Sequence, residues 1–404
     1  MIINKSLLCG IGFFLIFVLF SASNLVVSVE SYKIFSLIRF FSFFIVLFIF
    51  LFILFFKMKI DFSLVFFVFF IIYFFVFFIF GESLDFFKNI RDIFLIFISS
   101  VIAYNFLSNY ALKDDENFIY AFFIYYFVVL LILYLTDSFI FDIPPRFNFS
   151  FGSELIGRQE TYSLGVSNFF GLSAIVFMYG FVMRYNYRWL MLFSSFFALF
   201  LSMLGGARGE FLIALLLFAF ILFFIKFSLL RVFVSFLFVT LAVFFVTLRL
   251  DFEDLIAGIE LFNRFEALQG GDLSSRDTLL SQSFSLLYNE PLCLLFGCGP
   301  DFFQNYYGYS LDLYPHNSVV EYIISYGFLS FFIFFILAIH GVFRFVKNCG
   351  FLTLPVVILL YSFLVSLKSG YLMGSWMLMA LIFSFSAYSI SKFISKGLYE
   401  RNFN

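Results

Sequence analysis

Long apolar blocks separated by short polar breaks run along the whole chain, and the blocks have no polar stripe at helical or strand spacing. Segments 45–56 and 65–80, for example, consist almost entirely of Phe, Ile, Leu and Val. A helix needs roughly twenty apolar residues to cross a bilayer, and a side chain that faces lipid needs no polar neighbour. The pattern therefore predicts twelve transmembrane helices, at residues 6–29, 34–56, 60–80, 92–112, 118–141, 162–183, 188–204, 208–225, 228–250, 317–343, 352–368 and 370–390.

The first apolar block resembles a secretory signal peptide, because Lys5 precedes the run 7–20 and small residues follow at 21–23. The apolar run continues through 25–29, however, which makes the block long enough to span a membrane. We therefore expect an uncleaved first helix.

Composition excludes a soluble domain of any size. Hydrophobic residues make up 64% of the 404 residues and charged residues only 12%, whereas an ordinary soluble domain has roughly 25% charged residues. The net charge of −1 provides no field that would attract nucleic acid. We expect an all-α polytopic integral membrane protein, in which residues 1–404 form a single membrane domain.

Basic residues in the short loops fall on one side of the predicted topology, which makes that side cytoplasmic and puts both termini there. These residues are Lys5, Lys57, Lys59, Lys113, Arg184, Arg188, Lys226, Arg231, Arg344, Lys347, Lys392, Lys396 and Arg401. A smaller loop at 142–161 and a large loop at 251–316 then lie on the extracytoplasmic side. In the large loop, Ser274 and Asp277 resemble a capping box, which predicts a short amphipathic helix on the membrane surface.

The first candidate for chemistry is Arg208, in the polar break at 205–210 between two apolar helices. An arginine at this depth is costly unless it is paired or faces water, so it suggests a functional site. The alternative is a tight glycine turn in which Arg208 pairs with Glu210 or reaches the lipid headgroups.

The second candidate is His316, which opens the span predicted at 317–343 together with Asn317, while Glu321 follows about one helical turn later. A histidine side chain is largely neutral at pH 7 and can accept a proton. The alternative is that Pro315 and His316 only start the helix and contact headgroups. The chain's other histidine, His340, lies inside an apolar helix, and we interpret it as structural.

Three further arginines lie in the extracytoplasmic loops: Arg158, Arg264 and Arg276. The planar guanidinium group binds phosphate oxygens through paired hydrogen bonds, so these arginines and Arg208 together would form a site for a lipid pyrophosphate. No nucleotide-binding or His-Glu-x-x-His metal motif is present, and the acidic run 114–116 is more typical of a loop cap than of a metal site. We therefore expect a reaction that uses neither cofactor nor metal.

The four cysteines are too few for a disulfide framework and lack a zinc-type spacing. Cys293 and Cys298 could pair if their loop is extracytoplasmic. The interpretation that we favour from sequence is that they are two small buried hydrophobic residues.

Three sequence elements resemble signatures of the O-antigen polymerase and O-antigen ligase superfamily of bacterial envelope enzymes. They are Gly206-Ala207-Arg208-Gly209-Glu210, similar to a Ser-x-Ser-Arg-Gly element; Ser275-Arg276 at the head of the loop helix; and Gly297-x-Gly299 with Pro315-His316-Asn317-Ser318 and Gly327, similar to a Gly-x-Gly…His-Asn…Gly signature. Arg158, followed by Gly165 and Asn168, faintly resembles another arginine element. The serine-rich first half of that element is missing, since Gly205 and Gly206 stand there, so the match depends on Arg208-Gly209.

The resemblance implies an inverting, metal-independent glycosyltransferase of lipopolysaccharide biosynthesis, an integral protein of the bacterial inner membrane. It would join oligosaccharide units carried on undecaprenyl pyrophosphate at the periplasmic face, in contact with membrane lipid and with a flippase and a chain-length regulator of the same pathway. His316 would be the general base. The pyrophosphate-binding residues would be Arg208, Arg276, Arg264 and Arg158, and the supporting residues Asn317, Glu321 and Glu210.

Two other functions remain open at this stage. A ligase would use the same donor and transfer the polymer to the lipid A core; we favour a polymerase because the outer loop lacks a strongly basic surface for that polyanionic acceptor. A flippase for lipid-linked sugars would also have about twelve spans, but it should show two similar halves and charged residues at the midplane. The long asymmetric loop 251–316 disfavours that alternative, and a membrane scaffold without activity is the least favoured.

Overall fold

The computed structural model describes residues 5–25, 27–55, 86–110, 112–140, 146–150, 163–224, 275–309, 313–350, 353–369 and 376–401. Within these ranges the chain is almost entirely helical. In chain order the helices are α1 Lys5–Asn24, α2 Val29–Phe55, α3 Phe86–Ser108, α4 Leu112–Leu135, α5 Leu164–Val182, α6 Arg188–Leu204, α7 Arg208–Phe224, α8 Ser275–Asn289, α9 Pro291–Phe296, α10 Phe302–Tyr307, α11 Ser318–Tyr326, α12 Phe328–Cys349, α13 Leu354–Ser369 and α14 Trp376–Arg401. Two short strands, β1 Phe139–Ile140 and β2 Arg146–Phe147, pair antiparallel after α4.

Five stretches among the described helices are long and apolar enough to cross a membrane: Val29–Ile53, Ile90–Ser108, Asp114–Leu135, Leu164–Val182 and Phe328–Cys349. Shorter apolar stretches occupy α1, α6, α7, α13 and α14. The protein is therefore a helical membrane protein, as the apolar pattern predicts. The spans predicted at 60–80 and 228–250 lie outside the described residues, and the total of twelve stays a prediction.

The chain divides into two compact units. The first unit comprises Met1–Phe17, Phe41–Phe118 and Leu273–Asn404, and the second comprises Val18–Phe40 and Ile119–Asp272. Helices α1, α2 and α4 contribute residues to both units. His316 and Arg276 belong to the first unit, and Arg208 belongs to the second.

In the first unit, α14 packs against both α3 and α12. The two helices α12 and α14 come very close at Gly341, where a side-chain carbon would overlap the backbone carbonyl of Phe385. Small residues permit such close contact between membrane helices, where lipid supplies no hydrophobic driving force for association. On the same two helices, His340 Nδ1 lies 2.5 Å from Ser389 Oγ, which agrees with a structural role for this histidine.

Asp115 ties α4 to α13 in the first unit. Its Oδ2 accepts hydrogen bonds from the Leu354 backbone amide at 3.2 Å and from the Tyr110 hydroxyl at 2.5 Å. The first amides of a helix have no partner within the helix, so a carboxylate there both satisfies a donor and complements the helix dipole. Asp115, in the middle of the acidic run 114–116, therefore caps α13.

In the second unit, α5 packs against α6 and α7. Aromatic rings from α4 and α5 fill the interior; Tyr126, which is fully buried, lies 5.0 Å from the Phe177 ring. Ser195 of α6 donates a hydrogen bond to the Ala174 carbonyl at 2.5 Å. Hydroxyl groups that bond to backbone carbonyls in this way satisfy their polarity inside an apolar unit.

Candidate functional site

The turn that precedes Arg208 is built around Ser167 of α5. The Ser167 hydroxyl accepts a hydrogen bond from the Ala207 amide at 3.1 Å, and its carbonyl accepts one from the Ser202 hydroxyl at 2.8 Å. A side chain on Gly205 would collide with Ser167, because the added carbon would lie 2.9 Å from the Ser167 backbone nitrogen. This contact leaves no room for a side chain at position 205.

Arg208 is the first residue of α7, directly after this turn. Glu210, in the same first helical turn, is 1% exposed. Carboxylates are favoured near a helix N-terminus because the dipole is positive there. The side chain of Arg208 lies outside the described part of the structure, so neither its predicted functional role nor the alternative pairing with Glu210 is tested.

Three helices of the first unit share a small hydrophobic core that supports the histidine segment. Helix α8 confirms the loop helix predicted after Ser274, although Ser274 and its proposed cap lie outside the described residues. The core consists of Leu279, Leu286 and Leu287 of α8, Phe303 of α10, and Val320 and Ile324 of α11. The helix that carries Arg276 is thereby fixed against the helix that follows His316.

Polar contacts reinforce the packing of α10 on α8. The Tyr307 hydroxyl donates to the Gln282 backbone carbonyl at 2.9 Å, and the Gln282 side-chain Nε2 lies 2.9 Å from the Tyr309 hydroxyl. Desolvation, with smaller effects of Tyr306 and Tyr309, raises the pKa of Tyr307 above its ordinary value. A tyrosine hydroxyl is already protonated at neutral pH, and the raised pKa extends the pH range over which Tyr307 can donate.

The ends of α9 and α11 touch through their backbones at two glycines. A side-chain carbon on Gly297 would lie 2.5 Å from the Ser325 carbonyl oxygen, and one on Gly327 would lie 2.7 Å from the Phe296 Cα. Both glycines have positive φ, 85° and 84°, which disfavours any other residue. We call this contact, formed by residues 295–299 and 324–327, the glycine junction.

Two backbone hydrogen bonds complete the glycine junction. The Cys298 amide donates to the Ile324 carbonyl at 2.8 Å, and the Gly299 amide donates to the Ser325 carbonyl at 3.0 Å. They satisfy carbonyls at the end of α11 that have no partner within the helix. The Gly-x-Gly and the later Gly of the sequence signature thus meet at one structural feature.

A disulfide joins Cys293 of α9 to Cys298 of the glycine junction. The two cysteines are therefore paired, and the sequence-based interpretation that they are simply two small buried hydrophobic residues is wrong. The spacing of five residues did not reveal the pair, because it does not determine the distance between the two cysteines. That distance depends on how the end of a short helix and the following turn are folded.

The predicted span at 317–343 is not one helix. It is broken at Gly327 into α11 and α12, because the backbone of Gly327 is not helical. The backbone of Leu295 and Phe296 packs directly against it. Helix α12 alone has 22 residues, which is enough to span a bilayer. Helix α11 is thus a separate short helix, and the candidate span is α12 alone.

His316 has a φ of 53°, in the left-handed region. Such values are uncommon outside glycine, although histidine is enriched among the exceptions, and they concentrate at functional sites. The imidazole is half-buried and lies against the Tyr314 ring, with centroids 4.0 Å apart. Pro315, between these two residues, is buried.

Asn317 caps α11. Its side-chain oxygen accepts hydrogen bonds from the amides of Val319 at 3.0 Å and Val320 at 3.1 Å. This arrangement is the preferred use of asparagine at a helix start, and it fixes the position of the residue immediately before it. Asn317 therefore orients His316, and its side-chain oxygen is committed to the helix.

Helix α11 has a buried polar face opposite its apolar one. Ser318, Glu321 and Ser325 recur at helical spacing and are 4%, 5% and 2% exposed. Burying a carboxyl group is costly unless it has polar partners, so the buried position of Glu321 is a notable feature of this unit. It lies one helical turn after Asn317, as predicted.

Two buried polar residues near the glycine junction escaped the sequence analysis. Asp301 has a φ of 61° and is 4% exposed, and Gln304 is 1% exposed. The Gln304 Nε2 atom has no hydrogen-bond partner, which is rare for a buried amide. The available signal was a Gly-Pro-Asp sequence directly after Gly297 and Cys298, which marks a turn with a carboxylate.

The remaining predicted pyrophosphate ligands are Arg158, Arg264 and Arg276. Arg158 and Arg264 lie outside the described residues, and Arg276 is described only as a backbone position in the first turn of α8. The predicted gathering of arginines around a pyrophosphate therefore stays a prediction.

Comparisons of this chain with family models, curated proteins and solved structures give no match.

Proposed function

We propose that this protein is an O-antigen polymerase, which joins undecaprenyl-pyrophosphate-linked oligosaccharide units at the periplasmic face of a bacterial inner membrane. The observation that carries the proposal is the arrangement of His316. It is a half-buried histidine in a left-handed conformation, directly before the cap of a helix that the glycine junction holds in place. The same residues make up the third element of the resemblance to the superfamily.

In the proposed reaction, the His316 imidazole accepts a proton from the acceptor hydroxyl as the hydroxyl oxygen attacks the anomeric carbon of the donor. The bond from that carbon to the pyrophosphate oxygen breaks, and the electron pair leaves with the pyrophosphate. Attack opposite the leaving group inverts the anomeric configuration. The proton then passes from the imidazole to water.

Arginines would stabilise the leaving group in this scheme. Arg208 and Arg276 supply the guanidinium groups, with Arg264 and Arg158 as further ligands, because fixed cations lower the energy of the charge that develops on the pyrophosphate. Glu210 and Glu321 would orient neighbouring polar groups, and Asn317 would position His316 through the helix cap.

The disulfide between Cys293 and Cys298 supports an extracytoplasmic location for this segment. Disulfides persist in oxidising compartments such as the bacterial periplasm and are rare in the cytosol. An extracytoplasmic site is what a reaction on lipid-linked units after their translocation requires.

The test is the lipopolysaccharide ladder on a gel from a deletion strain of the source bacterium, complemented with wild type, Arg208→Ala, Arg276→Ala or His316→Ala at matched protein levels. The matched controls are His340→Ala and Arg344→Ala, which lie towards the far end of α12. We expect wild type and both controls to restore the ladder, and the three site variants to leave core with a single repeat.

Other outcomes would overturn the proposal in different ways. A deletion strain that accumulates long polymer on the lipid carrier, with bare core, would indicate a ligase. A strain that accumulates single repeats on the cytoplasmic face would indicate a flippase. A ladder that persists in the deletion strain would exclude a polymerase.

A further inference from the structure

Helix α9 is short and almost entirely exposed, although five of its six residues are apolar and the sixth is a proline. Only Cys293 is buried; Leu292 is 69% exposed, Leu295 42% and Phe296 54%. A contiguous apolar surface of this kind on a soluble segment would mark an interaction site or cause aggregation. Some apolar medium or partner must therefore cover α9.

The exposed surface continues onto the preceding helix. Phe284 and Tyr288 of α8 are 57% and 87% exposed and are spaced one helical turn apart. Between Asp277 and Asp301 the only charged residue is Glu290. A surface that is apolar and nearly uncharged suits acyl chains better than a charged headgroup layer or a polar protein surface.

The exposed residues of α12 indicate that this apolar medium is lipid. It is long enough to span a membrane, yet most of its length is not buried inside the protein. Its first two turns present Phe328, Leu329, Phe332 and Ile333, which are 42%, 47%, 50% and 52% exposed. In a spanning helix such residues face lipid.

Helix α9 is fixed against the start of this lipid-facing surface. It packs on α12, and the backbone at Leu295 and Phe296 touches Gly327, the residue directly before α12. The disulfide from Cys293 to Cys298 ties α9 to the same junction. The exposed side of α9 therefore continues the lipid-facing side of α12 at the membrane boundary.

We propose that α9, with Phe284 and Tyr288 of α8, is seated among the acyl chains at the edge of the bilayer that α12 spans. The partner is phospholipid of the same membrane. Through the glycine junction, this anchor would hold α11 and His316 at a fixed depth beside the membrane surface. The anchoring does not depend on the glycan chemistry proposed above.

The experiment uses nitroxide spin labels on the full chain in vesicles of phosphatidylglycerol and phosphatidylethanolamine. Cys9 and Cys349 are replaced by Ala, the disulfide is kept, and single labels are attached at Leu292→Cys, Phe296→Cys and Tyr288→Cys. Ile336→Cys, exposed in the middle of α12, is the lipid reference, and Lys347→Cys, exposed in its last turn, is the water reference. Only variants that elute like the parent protein in size exclusion are compared.

Oxygen concentrates in acyl chains, and nickel ethylenediaminediacetate stays in water. We expect the ratio of oxygen to nickel collision rates at 292 and 296 to be close to that at 336 and several-fold above that at 347. A ratio equal to that at 347 would place α9 in water and overturn the proposal. Low collision rates with both reagents would also overturn it, since they would show that a second copy or another protein covers the surface.

Discussion

At position 327 the chain meets two separate demands that only glycine satisfies. The backbone has a φ of 84°, which strains any residue with a side chain, and the space beside it is filled by the backbone of Leu295 and Phe296. Gly350 has a similar φ of 104° but nothing within 4 Å of the position that a side chain would occupy. A comparison of substitutions at these two glycines therefore separates the effect of backbone strain from the effect of close packing.

We predict that Gly327→Ala lowers the stability of the protein more than Gly350→Ala does. Both substitutions carry the backbone penalty, but only the first forces apart the ends of α9 and α11, for which overpacking costs roughly 1–3 kcal/mol more. Thermal unfolding in detergent, followed by the loss of monodisperse protein, measures the difference. Equal midpoints for the two variants would mean that the glycine junction is not a close contact.

The helix cap formed by Asn317 leads to a second prediction about a single residue. Asn317→Ala removes the acceptor for two amides at the start of α11, at a cost of about 1 kcal/mol, whereas Asn317→Asp keeps the acceptor. We expect faster hydrogen exchange at Val319 and Val320 in the Ala variant and near wild-type exchange in the Asp variant. Unchanged exchange in both variants would show that the cap does not hold this turn.

At the scale of elements, apolar runs predicted helices well and predicted their interruptions poorly. Lipid accepts any large apolar side chain, so the apolar runs at α2, α4 and α12 indicate only that these segments avoid water. They do not indicate where a helix is interrupted. The break at Gly327 depends instead on a backbone that arrives from α9, about thirty residues earlier in the chain. A window of hydropathy contains no information about such a contact.

Asp115 gives a prediction at the junction of two elements. Its carboxylate bonds the first amide of α13, whereas Asp114 is half-buried in the first turn of α4. We expect Asp115→Ala to destabilise the first unit by roughly 1–2 kcal/mol, because both a helix cap and the partner of the Tyr110 hydroxyl are lost. Asp114→Ala should have little effect.

The measurement for Asp115 is the midpoint of unfolding in detergent with increasing dodecyl sulfate, for wild type and both variants. Asp115→Asn is a further comparison, since its side-chain oxygen can still accept both hydrogen bonds but carries no negative charge. An Asp115→Ala variant as stable as Asp114→Ala would contradict the capping role.

At the scale of the whole molecule, the composition alone established a helical membrane protein. Part of the candidate site could also be proposed from sequence, because one of the only two histidines in this chain lies at a span boundary. The glycine junction and the disulfide were not predictable in the same way. Both depend on how the chain after α9 packs against the end of α11, which is a tertiary contact.

The state of the cysteines reports the side of the membrane for the whole loop. Cys9 and Cys349 form no disulfide, and Cys293 and Cys298 are joined by one. We predict that protein purified without reductant and unfolded in dodecyl sulfate takes up two maleimide mass tags, and four after reduction. Four tags without reduction would show that the loop is not held in an oxidising compartment.

The measurement that tests the central claim most directly is turnover by purified full-length protein in lipid vesicles supplied with undecaprenyl-pyrophosphate-linked repeat units. Our account predicts that wild type and His340→Ala form lipid-linked dimers and longer polymers and release undecaprenyl pyrophosphate, without added metal. It predicts that His316→Ala loses at least about a hundredfold in rate, the usual contribution of a general base. No polymer from wild type, or equal rates for His316→Ala and His340→Ala, would contradict it.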